Sequence, residues 1–183
     1  MHEKRREAHV TDTIRINRAP VLTLWAAVVA ERLGFDRATA LTLGQAVAGS
    51  SAYAKGVSLG IIELRPVLVR ERGDRLAEGE QLCVDLLGRA VPVVRTPDGL
   101  RAVSKGRPGN PASIERYLAS KFGDHLEEAR AEMAELAAAH VPVDLNRRGF
   151  RLYERFRPEV PRGESGWGAT GELDLAKVRA ARS

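Results

Sequence analysis

The chain has 183 residues, 44% hydrophobic and 29% charged, enough for one domain with a real core. A single cysteine, Cys83, excludes an internal disulfide framework and a cysteine metal cluster, and no charge-free run reaches the ~18 residues of a membrane span. A net charge of +5 permits acidic partners, nucleic acid among them, and the expected location is the cytoplasm.

Residues 1–16 read as a polar, flexible arm, with Thr13–Ile16 able to form a short edge strand. A single domain is expected over 17–183: a helical hairpin at 17–58, a small sheet at 59–109, then helices and a Gly/Trp-rich loop at 110–183. The first helix begins near Asn17 or Arg18, with Pro20 in its first turn. Val21, Leu22, Leu24, Trp25, Val28, Val29 and Leu33 cover most of its circumference, which predicts a helix surrounded by protein. Gly34 suits a left-handed helix end, Phe35 can fold back on the last turn, and Asp36 can cap a second helix from Arg37 to about Ala52. Along that helix Gly44, Ala46, Ala48 and Gly49 would admit a neighbouring backbone, in the core or across a dimer.

Leu59 to Arg70 is apolar but broken by Pro66, so an extended edge segment is expected there. Residues 82–87, 90–95 and 100–105 read as three short strands, turning at Gly88-Arg89 and at Thr96-Pro97-Asp98-Gly99. Asn110 and Pro111 start a helix that closes at Phe122-Gly123, and Asp124 to Glu127 has the form of a capping box for the next. Another helix spans about Asp144 to Phe156, followed by a Pro-rich connector and a short closing helix from Leu173 to Ala181. The fold class is therefore α+β, mainly helical: a buried N-terminal hairpin packed with C-terminal helices, and a small antiparallel meander between.

Arginine placement carries the functional signal. In the 144–156 helix, Leu145, Gly149, Leu152 and Phe156 define a buried face, with Arg147, Arg151 and Arg155 at i, i+4, i+8 beside it and Arg148 adjacent. Residues 147–162 carry a local balance of +4, as do residues 89–109, whereas residues 115–135 carry −3. Aligned guanidinium groups suit phosphate, each neutralised phosphate releasing counterions. The competing arrangement is a solvated arginine face paired with the chain's own acidic helix at 124–139.

Val29 to Thr39 resembles the helix-turn-helix of bacterial DNA-binding proteins, in Ala30, in Leu33-Gly34 at the turn, and in the helix start Asp36-Arg37-Ala38-Thr39. The resemblance covers about residues 27–47. It implies a second helix in the major groove, with Arg37 donating to guanine and Thr39 touching a base or phosphate.

The histidines lack metal-ligand spacing, and neither a catalytic constellation nor a cofactor motif is legible. Trp167, in the glycine-rich Gly163–Gly171 loop, reads as an apolar plug or as a stacking platform for a base. The expectation is thus a non-catalytic nucleic-acid-binding protein, for DNA more than RNA, using Arg37, Thr39, Arg147, Arg148, Arg151 and Arg155. The alternatives are a self-association module forming a homodimer through residues 19–55, and an enzyme or ligand binder with an anion pocket where Trp167, Tyr53, Tyr153 and an arginine converge.

Overall fold

The structure, a computed structural model, describes residues 13–49, 82–104, 106–160 and 170–183. The predicted 59–70 segment, Tyr53, the end of the second helix beyond Gly49 and the Trp167 part of the glycine-rich loop lie outside the described residues. The chain mixes helix and strand, with antiparallel sheets.

Strand β1 (Thr13–Asn17) runs directly into helix α1 (Arg18–Arg32). Every residue of α1 from Pro20 to Ala30 is buried, and α1 packs against the helices Arg37–Gly49, Leu126–Ala138 and Pro142–Phe156. Its end is a Schellman turn: Phe35 N–H donates to the Ala30 carbonyl at 3.1 Å and Gly34 N–H to that of Glu31 at 3.0 Å. Gly34 takes φ +112°, a conformation costly for any residue with a Cβ. Asp36 then opens α2 (Arg37–Gly49), its carboxylate accepting from the Thr39 amide at 3.4 Å. The Thr39 donors hold the Asp36 carboxyl below the usual carboxylate range. α1 and α2 cross at Gly44, where a Cβ would lie 2.3 Å from the Thr23 carbonyl oxygen.

Strands β2 (Leu82–Leu86), β3 (Arg89–Thr96), β4 (Gly99–Ser104) and β5 (Arg107–Pro108) form a four-stranded antiparallel meander in chain order. Its first turn sits one residue earlier than predicted. Leu87 and Gly88 occupy it with φ +54° and +78°, the two positive angles of a type I′ hairpin, and Arg89 belongs to the strand. β4 docks on α2 through threonines: the Ala102 N–H donates to the Thr42 hydroxyl at 2.9 Å.

Helix α3 (Pro111–Phe122) is capped by Asn110, whose side chain accepts from Ser113 N–H. Gly123, at φ +58°, ends it. The expected capping box does not form. A 3-10 turn, Gly123–His125, leads into α4 (Leu126–Ala138), whose N-cap position is taken by His125 without a side-chain bond. Helix α5 (Pro142–Phe156) starts at its proline, two residues ahead of the expected start. Strand β6 (Thr170–Asp174) then pairs antiparallel with β1, Arg15 opposite Glu172, and α6 (Leu175–Ala180) closes the described chain. Residues 173–174, expected in a helix, are thus in a strand, while Thr13–Asn17 forms the short strand that residues 13–16 allowed, within a segment otherwise expected to be an arm. Among the described residues, no helix is long and apolar enough to cross a membrane.

Candidate nucleic-acid interface

The rotation of α5 decides where its arginines point, and three contacts fix it. Trp25 of α1 donates its indole N–H to the Gly149 carbonyl at 2.8 Å, and its ring meets Phe156 edge-on at 5.4 Å. Leu87, from the β2–β3 turn, fills the space a Cβ on Gly149 would need, at 2.1 Å. Asn146 ties the same turn to the helix: its amide donates to the Asp85 carbonyl and its oxygen accepts from Leu87 N–H, both at 2.8 Å. Leu145, Gly149, Leu152, Tyr153 and Phe156 are accordingly buried.

At about 100° per residue, Arg147, Arg148, Arg151 and Arg155 then share roughly 100° of the opposite circumference. All four are exposed. Arg155 reaches the Ala181 carbonyl at 3.5 Å, whereas Arg147, Arg148 and Arg151 have no ion pair or hydrogen bond among the described residues. Of two exposed acids, Asp144 shares the face of the stripe at its N-terminal end, and Glu154 lies beside it. Asp144 lies in the first turn of α5, where it complements the helix dipole.

The acidic helix does not neutralise these arginines. Glu132 of α4 pairs with Arg179 and, at 2.8 Å, with Arg182, and Glu135 pairs with Arg182 at 2.6 Å. Glu127 and Glu115 both pair with Arg130 on α4 itself. The acids of α4 thus meet their own helix, the 3-10 turn before it and the C-terminal residues, and among the described residues none pairs with the outer face of α5.

The helix-turn-helix positions are placed differently. Thr39 is 1% exposed. Its hydroxyl lies 2.6 Å from Asp36 Oδ1 and 2.8 Å from the Leu100 carbonyl oxygen, so its one proton is already contested between two acceptors of its own chain. Thr39 therefore leaves the candidate set. Arg37 is exposed and paired with Glu31 at 2.9 Å. Between them and Gly49, Ala40 to Gly44, Ala46 and Val47 are buried beneath α1 and β4, so α2 offers no continuous outer face of the kind a groove-reading helix needs. Leu43 is 0% exposed within one chain.

Two residues that position this region were not singled out from sequence. Asn146 is a polar residue on a helix with nothing in its neighbours to mark it. Its loss should be felt: Asn146→Ala strands an amide and a carbonyl of the hairpin turn, and is expected to lower the stability by about 1–3 kcal/mol. Urea unfolding should show a lower midpoint at an unchanged slope. Arg89 entered the charge count and the expected turn, yet its guanidinium lies over the Phe150 ring, 4.4 Å from the centroid.

Comparison with protein-family models, curated proteins and solved structures finds no match for this chain.

Proposed function

We propose that this protein binds nucleic acid without catalysis, laying the outer face of α5 along a phosphate backbone, with duplex DNA the preferred form. The observation that carries this reading is the exposure of Arg147, Arg148 and Arg151 on one helix face with no carboxylate pair among the described residues. Clustered cations repel one another, and exposed side chains are free to find a carboxylate within reach, such as Asp144 or Glu154; a stripe left unpaired even so suits an external polyanion. In this reading the α1–α2 hairpin, packed with the C-terminal helices, is the scaffold that sets the rotation of α5. Arg155 borders the contact. Arg37 joins only if its exposed pair with Glu31 opens, which costs little.

A phosphate backbone carries no base sequence, so binding along it is expected to be nearly independent of sequence and steeply dependent on salt. Fluorescence anisotropy with short labelled duplexes of unrelated sequence tests this. Affinity at low salt that falls linearly on a log–log plot supports it. Absence of affinity at the lowest salt, or affinity indifferent to salt, refutes it.

A further inference from the structure

We propose that Arg18, Arg89 and Arg157 form a phosphate-binding site on the flank of α5, around Phe150 and Tyr153 and apart from the outward stripe. Arg89 opens β3 immediately after the turn that Asn146 pins, so its backbone is held in place. Its guanidinium stacks on Phe150, whose ring lies 5.6 Å from that of Tyr153. The Arg89 Nε is shielded from solvent and has no hydrogen-bond partner, and no carboxylate pairs with Arg89 among the described residues.

The other two arginines are anchored by the backbone around them. Arg18 Nε donates to the Pro158 carbonyl at 2.9 Å, leaving its terminal nitrogens for another acceptor. Arg157, next in line to Pro158, ends α5 with its N–H on the Tyr153 carbonyl at 2.7 Å. The Tyr153 hydroxyl reaches the Arg18 carbonyl at 3.4 Å, which ties the start of α1 to the same spot. Burial raises the pKa of Tyr153, while the charges of Arg18, Arg157 and Arg89 pull it back. Burial likewise lowers that of Arg89, the expected response of a cation short of an anion.

A partly buried guanidinium without a counter-charge is costly, and a bound anion would offset that cost. A tetrahedral anion with several oxygens can accept from more than one planar fork at once, which favours phosphate over a single carboxylate. The phosphate can come from a free phosphorylated molecule or from the backbone of a nucleic acid already lying on α5. The site does not depend on the α5 stripe being an interface.

The test uses the full chain and two probes: inorganic phosphate by titration calorimetry, and a labelled DNA duplex by anisotropy. Arg89→Met keeps an apolar stem on Phe150 and removes the charge. It is expected to weaken at least one probe by about tenfold or more, with a melting temperature equal to or above the parent's, since an unpaired charge has been removed. Arg157→Gln, at a helix end, should weaken the same probe. Loss of inorganic phosphate binding assigns the site to free phosphate groups; loss of duplex binding alone assigns it to a backbone phosphodiester. Phosphate binding that survives in a chain unable to bind duplex keeps this site and removes the stripe interface. If the parent binds neither probe, or both variants bind both probes like the parent, the site is wrong and Arg89 serves only to cover Phe150.

Discussion

Gly44→Ala is expected to destabilise the protein by about 3 kcal/mol or more, the upper end of what overpacking costs. The added methyl would lie 2.3 Å from the Thr23 carbonyl oxygen and 2.9 Å from the Ala27 amide nitrogen, both main-chain atoms of α1. Neither can rotate aside as a side-chain tip would, so α1 and α2 must separate. α1 has no room to yield, because Val21, Leu22, Trp25, Ala26 and Val29 are fully buried against the rest of the core. Helix propensity acts in the opposite direction, favouring alanine over glycine by about 1 kcal/mol, and is outweighed. Gly49→Ala separates the two effects: among the described residues nothing lies within 4 Å of a Cβ there, so propensity acts alone and stability should hold or rise slightly. At this chain length a loss of 3 kcal/mol corresponds to a fall in melting temperature of roughly 6–12 °C. Calorimetry on the two variants checks it; equal effects at both glycines would mean that the crossing is looser than described.

What the sequence discloses here is mostly local. Gly34 and Phe35 announce the end of α1 because one residue with freedom at positive φ, followed by an apolar one, makes a Schellman turn wherever it occurs. Asn110 ahead of Pro111 announces α3 by the same kind of short-range chemistry. The 147/151 register on α5 is legible because Leu145, Gly149, Leu152 and Phe156 fix which side is inward. Long-range facts are silent. β6 pairs with β1 across most of the chain, and Thr-Gly-Glu-Leu-Asp carries little apolar alternation to mark a strand. Gly171 belongs there because a Cβ would sit 2.5 Å from the Glu159 carbonyl oxygen, a neighbour that no spacing rule reveals.

The same limit governs charge. A tally over 89–109 counts Arg101 as a surface cation, yet it is 8% exposed and donates to the Leu100 and Asp98 carbonyls. Arg89, in the same tally, is covered by its contact with Phe150. Leu87 hides the turn that positions Arg89, since a leucine at φ +54° is not a residue from which a type I′ turn is read. Whether an arginine is free for a ligand therefore depends on partners far away in sequence.

Changing Arg147, Arg148 and Arg151 together to glutamine should leave the fold intact and remove most of the affinity for a polyanion. The side chains are exposed and without described partners, so each substitution should alter stability by no more than about 0.5 kcal/mol. Their contribution to binding is of another size. If each meets one phosphate, the slope of log K against log salt should flatten by about 2.7 in the variant, following the value of about 0.9 per phosphate contact on duplex DNA. For the parent, a fourfold rise in salt would then weaken binding by roughly fortyfold through these three contacts alone. Arg179→Gln with Arg182→Gln is the matching control. It also removes positive charge, but from groups already engaged by Glu132 and Glu135, so it should reduce stability and leave the slope nearly unchanged. The comparison separates position from net charge: a general attraction of a basic protein for DNA would weaken with each arginine removed, wherever it sits, whereas a built interface loses affinity only on the outer face of α5. A triple variant that keeps the parent's slope, or a control that loses as much per charge, would end the case for that face.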